Sequence, residues 1–176
     1  MKNKLIIGGT VVFLLGAFLA WLFIASSEPL PGQKMADLGR GHVPIGENVE
    51  YNSNPPTSGK HYEDWIRSGV YETPNDDRNL VHSLEHGYVI MSYKCDLSQT
   101  VATPSASLCD LRKNQLAKIY EKKGKKKLIV VPKENLETNF ALTAWTYLDK
   151  FNDFEEQRVT RFIDAHLNQG PEKTME

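Results

Sequence analysis

Residues Leu5 to Ala25 form an apolar stretch without a single charged side chain, and nothing else in the chain limits its folding options as strongly. As a helix rising ~1.5 Å per residue, its 21 residues span ~31 Å, the thickness of a bilayer's hydrocarbon core. Lipid offers backbone groups no water to bond, so a stretch that crosses it must be helical. Trp21 stands near the far end, where an indole favours the membrane interface. Lys2 and Lys4 precede the stretch, and the first acidic residue, Glu28, follows it. The positive-inside rule then sets the N-terminus in the cytoplasm and the remainder outside. Residues 1–25 therefore read as a cytoplasmic tip and a single-pass anchor in the cell membrane, with 5–25 in contact with lipid. A cleaved signal peptide is the competing reading, with Ala25-Ser26-Ser27 as its cleavage site. Such peptides carry apolar cores of roughly 7–15 residues, and this one is longer. No cysteine follows it to suggest a lipoprotein.

From Glu28 onward about 149 residues remain, the size of one ordinary domain. Setting aside Lys2 and Lys4, this part carries 19 basic against 22 acidic side chains, a formal charge of −3. Nucleic-acid binding calls for a strongly basic face, so no nucleic-acid partner is expected.

Both cysteines, Cys95 and Cys109, lie in this outer portion and flank a polar segment, Asp96 to Leu108. In an oxidising compartment such a pair is expected to form a disulfide, worth ~3 kcal/mol for a loop of that length. Thiolate ligation of copper is the alternative, without a CxxC motif to support it.

Residues 26–41, with Pro29, Pro31, Gly32 and Gly39, show no apolar periodicity and read as a flexible linker. The His-rich domain is expected over 42–172, with 173–176 as a tail. Within it, Asn48 to Tyr51 reads as a short strand. Asn52 to Gly59 (NSNPPTSG) is turn chemistry made rigid by two prolines. The pattern predicts a helix over Asn79 to His86 closed by Gly87, then a strand over Tyr88 to Tyr93. A second helix is expected over Leu108 to Lys122. The basic turn Lys122 to Lys127 reads as solvated, and a strand over Leu128 to Val131 is stopped by Pro132. Asn139 to Tyr147 reads as strand. Asp153, with Glu156 three residues on, resembles a capping box that opens a last helix ending near Gly170. Short, intermingled strands and helices with long loops indicate an α+β domain.

Four of the five histidines fall between residues 42 and 86: His42, His61, His82 and His86. His82 and His86, spaced i, i+4 on the predicted helix, present their rings on one face and can reach one ion. Glu85 flanks the same face. Met91 would favour Cu(I), but nothing in the sequence ties it to the histidines. The string His82-Ser83-Leu84-Glu85-His86 is literally HxxEH, the inverted zinc-peptidase motif in which the glutamate activates water. Gly87 ends the predicted helix at once, whereas that motif sits within a longer one. His61 closes the prolyl loop, where a ligand's ordering cost is met in advance. His42 is similarly placed but weaker. His166, one turn from Phe162 and Ile163, reads as a half-buried helix histidine.

The strings Tyr51-Asn52-Ser53-Asn54-Pro55-Pro56-Thr57-Ser58-Gly59-Lys60-His61-Tyr62, Gly69-Val70-Tyr71 and Leu80-Val81-His82-Ser83-Leu84-Glu85-His86-Gly87 resemble an uncharacterised bacterial and archaeal family. It is a domain of unknown function, commonly placed behind one N-terminal membrane helix. Ala144-Trp145 and Pro171-Glu172 resemble its later markers, so the likeness covers about Gly41 to Glu172. The PPTSGxH and HxLEHG motifs together are specific, and the resemblance implies a shared site at His42, His61, His82, Glu85 and His86. The cysteines lie outside that pattern.

Three functions follow as expectations. One is a non-enzymatic extracytoplasmic domain that binds Cu or Zn through His61, His82 and His86, completed by His42 or Glu85. Another is a zinc hydrolase with Glu85 as the catalytic base. The third is a metal-free accessory subunit of a membrane-protein complex, which histidine rings more than ~8 Å apart would favour, since Zn–N bonds are ~2 Å.

Overall fold

Two runs rich in β-branched and aromatic residues, Val89–Lys94 and Leu128–Lys133, build the centre of the fold. In the computed structural model, which describes residues 14–18, 21, 29–96 and 104–175, they pair in parallel as β3 and β4. Both are buried almost end to end, as an inner parallel pair covered on two faces requires. The other strands are β1 (Gln33–Lys34), β2 (Gly69–Val70), β5 (Phe140–Ala144) and β6 (Tyr147–Phe151), giving the sheet order β1-β6-β5-β3-β4-β2. Pairing is parallel from β3 through β4 to β2 and antiparallel elsewhere. Three helices flank the sheet: α1 (Asp77–Glu85), α2 (Pro104–Lys122) and α3 (Glu156–His166). The α+β expectation holds for residues 31–176, which form one compact unit.

Side chains alternate across the central strands. Val89, Met91 and Tyr93 of β3, with Leu128 and Val130 of β4, join Leu116, Ile119, Phe162 and Ile163 in one core. Ile90, Ile129 and Val131 point the other way and meet Leu80 and Leu84 of α1. The Cys95–Cys109 disulfide ties the end of β3 to the opening turns of α2, on the first of these faces.

Several local expectations change. Residues 31–41 are not a tether without fixed structure. β1 pairs with β6, Met35 N–H donates to Thr146 O, and Gly39 and Gly41 carbonyls accept from Gly59 and His61. Residues 48–51 form no strand. Pro132 does not stop β4. It shares parity with Val130, whose carbonyl accepts Tyr71 N–H, so the donor it lacks would point past the end of the two-residue β2. The 139–147 segment is strand but turns at Trp145-Thr146, where Thr146 takes φ 62°, and returns as β6. α3 is capped at Glu155 without a side-chain bond, not at Asp153.

Of the apolar stretch 5–25, residues 14–18 and 21 are described; they are helical, with Leu14, Leu15, Phe18 and Trp21 exposed. The rest of the expected anchor lies outside the described residues. Among the described residues no helix is long and apolar enough to cross a membrane.

Candidate metal centre

Two segments far apart in sequence carry His42 and His61, and the backbone brings them together. Residues 39–43 run parallel to 59–61: Gly59 N–H donates to Gly39 O, His61 N–H to Gly41 O, and Val43 N–H to His61 O. The two histidines face each other across this bridge, with ring centroids 5.2 Å apart. The prolyl loop beneath is buried from Pro55 to Gly59 and is held by Thr146 N–H to Thr57 O and Leu38 N–H to Ser58 Oγ.

α1 supplies the other side. Asp76 caps it by accepting Arg78 N–H, and Gly87, at φ 83°, turns the chain into β3. The i, i+4 spacing puts the His82 and His86 rings 4.5 Å apart. His82 also lies 4.8 Å from His61 and 5.0 Å from His42. Trp65 walls the pair at 5.6 and 4.9 Å. Its loop is fastened to α1 by Ser83 Oγ, which accepts Ile66 N–H and donates to Ile66 O.

Two ring tautomers follow from these contacts. His61 Nδ1 donates to Gly59 O and His82 Nδ1 donates to Tyr62 O, both at 2.8 Å, because a carbonyl can only accept. With its hydrogen on Nδ1, each ring in its neutral form turns the lone pair of Nε2 toward the cluster, as metal-binding histidines do when a carbonyl holds the other nitrogen. Burial pushes the His82 imidazole below its ordinary pKa, the Tyr62 carbonyl opposes this, and the neighbouring His86, His61 and His42 add to it. The neutral, ligating form is the favoured one.

Glu85 completes the group. Its Oε2 lies 2.9 Å from His61 Nε2, yet the buried Nε2 makes no hydrogen bond. The contact is short but off the line of an N–H bond. Its Oε1 faces the half-exposed Arg40 guanidinium at 3.5 Å. One ligand atom each from His42, His61, His82 and Glu85 lie within 4.8 Å of one another, three of the residues buried and His42 exposed. In a tetrahedral shell with bonds of ~2.0–2.1 Å, ligand atoms stand ~3.3 Å apart, so a contraction of at most about 1.5 Å closes the four on one ion.

His86 belongs to a neighbouring group. Its Nε2 is 3.1 Å from His82 Nε2 and 3.5 Å from Glu172 Oε2, and His82, His86 and Glu172 form a second donor set. Glu172 is the site residue that sequence reasoning missed. The segment after α3 carries it back onto α1, with Asn168 N–H donating to Gly87 O and Glu172 N–H to Glu85 O. Gly170 allows this approach, since a Cβ there would run into Glu85 O and the backbone of Gly87. The available signal was Pro171-Glu172, seen only as part of a resemblance. Lys127, expected to be solvated with its basic turn, is buried; its ammonium donates to His86 O, Asn168 Oδ1 and Thr174. His166 lies apart from the cluster, buried with its Nε2 donating to Pro31 O.

A family model described as protein of unknown function (DUF3105) matches residues 42–176. The chain belongs to the DUF3105 family. No curated protein and no solved structure matches it. The DUF3105 match spans the prolyl loop, α1 and Glu172, so every donor of both groups lies within it. The cysteines are paired with each other and Met91 is buried on the opposite face of the sheet, so neither contributes a sulfur ligand to the cluster.

Proposed function

We propose that this chain is a membrane-anchored extracytoplasmic domain that binds a transition metal, Cu or Zn, through His42, His61, His82 and Glu85, without catalysing a reaction. The observation that carries the reading is the pair His61 Nε2 and Glu85 Oε2. The two buried groups stand 2.9 Å apart with no hydrogen bond between them, and a cation lying against both would hold them together. Their separation is a little under the ~3.3 Å between ligands on one tetrahedral ion with ~2 Å bonds. Imidazole and carboxylate donors without sulfur suit Zn(II) or Cu(II) better than Cu(I). Residues 5–25 supply the tether, and the Cys95–Cys109 disulfide supports a place outside the reducing cytosol.

Geometry weighs against both other readings. α1 ends at Glu85 with His86 as its cap, so HxxEH does not sit inside a longer helix, and the Arg40 guanidinium lies 3.5 Å from Glu85 Oε1. The rings stand well under the ~8 Å separation that would have favoured a metal-free module. Glu85→Gln separates ligand from general base. As a ligand, its loss weakens zinc binding by more than ~100-fold, beyond the ~10–100-fold typical of outer partners. Retained zinc in a variant that has lost a hydrolytic turnover seen in the wild type would instead identify a hydrolase.

A further inference from the structure

The four-donor set leaves two side chains unexplained. His86 is buried, although an imidazole on a short capped helix has every opportunity to face water. Glu172 is carried back across the end of α1 by a segment built for that approach, through Gly170 and the backbone bonds to Gly87 and Glu85. The Lys127 ammonium pins the same segment from beneath, bonding His86 O and Thr174 O together.

The distances within this second set are those of a coordination shell. His82 Nε2 to His86 Nε2 is 3.1 Å and His86 Nε2 to Glu172 Oε2 is 3.5 Å, on either side of the ~3.3 Å edge of a tetrahedral site. Here a proton sits between the two imidazoles. His82 Nδ1 already carries a hydrogen toward Tyr62 O, so His86 Nε2 donates to His82 Nε2. An ion can replace that proton if His86 keeps its hydrogen on Nδ1 instead.

His82 belongs to both sets but has one available lone pair, which serves one ion. The six donors therefore divide evenly: His42, His61 and Glu85 on one side, His82, His86 and Glu172 on the other. Three protein ligands with water in the fourth position are enough to hold a zinc ion, whereas four protein ligands close the shell. Each half also holds one carboxylate, which offsets part of the charge of a dication.

From this geometry, and resting on the metal-binding reading above, we propose that the centre holds two divalent ions side by side. His82, His86 and Glu172 hold the second, and His82 turns to it when both positions fill. The outer ion, bordered by exposed His42 and by Arg40, and the inner one beneath Trp65 then lie within a few ångströms of each other, as in paired-metal sites.

The test is zinc stoichiometry on the full chain in detergent, stripped by chelator and titrated against a competing chromophoric chelator. The expected result is two zinc ions per wild-type chain and one per E172Q chain. E172Q alters a half-exposed carboxylate to its isosteric amide, and the unliganded melting temperature checks that it folds as the wild type does. Wild type saturating at one ion, or E172Q still taking two, overturns the proposal while leaving single-ion binding intact. No zinc in the wild type overturns both readings. Copper gives a second measurement that does not depend on the variant. Two Cu(II) ions this close couple magnetically, so the fully loaded wild type should show a half-field resonance or a spin count well below its copper content, and a full count of uncoupled Cu(II) spins overturns the proposal.

Discussion

The two faces of the central sheet are both closed to water, but they are closed with different materials. Toward α2 and α3, Val89, Met91, Leu116, Leu142, Phe162 and Ile163 make a continuous apolar core sealed by the Cys95–Cys109 disulfide. Toward α1 a smaller apolar layer, Leu80, Leu84, Ile90, Ile129 and Val131, is followed by buried Thr57, Ser58, His61, His82, Glu85 and His86. Burying ionisable side chains costs free energy unless each finds a partner. The first face supplies the stability that lets the second carry these groups. A chain selected for stability alone would have no reason to hold four imidazoles and a carboxylate against one another.

If the faces divide the work in this way, damage to the first should lower stability and leave metal binding alone. Phe162 is completely buried. Phe162→Ala is expected to cost about 3–5 kcal/mol, read from urea unfolding, with the zinc affinity of the folded fraction unchanged. A parallel loss of affinity would break the division. Reducing Cys95–Cys109 should cost about 3 kcal/mol by releasing the closed loop, seen as a lower urea midpoint, again with zinc affinity intact.

The smallest effect sharpens the comparison through pH. His166 is on the first face, against Tyr147 and Phe162, and burial lowers its pKa from 6.5. The unfolded chain then binds a proton more readily than the folded one, so the contribution is complete above pH 6.5. It is lost as pH falls through the lower folded value. His166→Gln should flatten the part of the acid-side decline that the wild type shows on urea unfolding between those values. An unchanged decline would assign it to other groups, such as His82 on the second face, whose pKa burial also lowers.

The sequence exposed the first face more readily than the second. β3 and β4 were legible because a β-branched run bounded by turn residues has few other uses, and α1 because Gly87 closes it. His82 and His86 were legible as a pair from spacing alone, and His61 from the rigidity of its loop. What escaped notice depended on partners distant in the chain. Residues 31–41 lack periodicity because their backbone is ordered through bonds to 59–61 and to β6, a cause that no local pattern records. The His42–His61 bridge is of the same kind. Glu172 and Lys127 look like ordinary surface charges until the chain past α3 folds back over Gly87. Asp153 and Glu156 showed the opposite fault, since a sound local capping signal gave way to a helix that begins at Glu156.

The central claim is that the second face is a metal centre, and metal content tests it most directly. The full chain, purified in detergent without added metal and then equilibrated with zinc or copper and desalted, should retain bound ion by elemental analysis. Its melting temperature should rise with the ion, because a ligand that binds only the folded state stabilises it. His61→Ala, which removes a buried ligand nitrogen with no hydrogen bond at Nε2, should lower the retained ion by one per chain and shrink the rise. A wild-type chain that retains neither zinc nor copper, and melts at the same temperature with either ion present, would contradict the account.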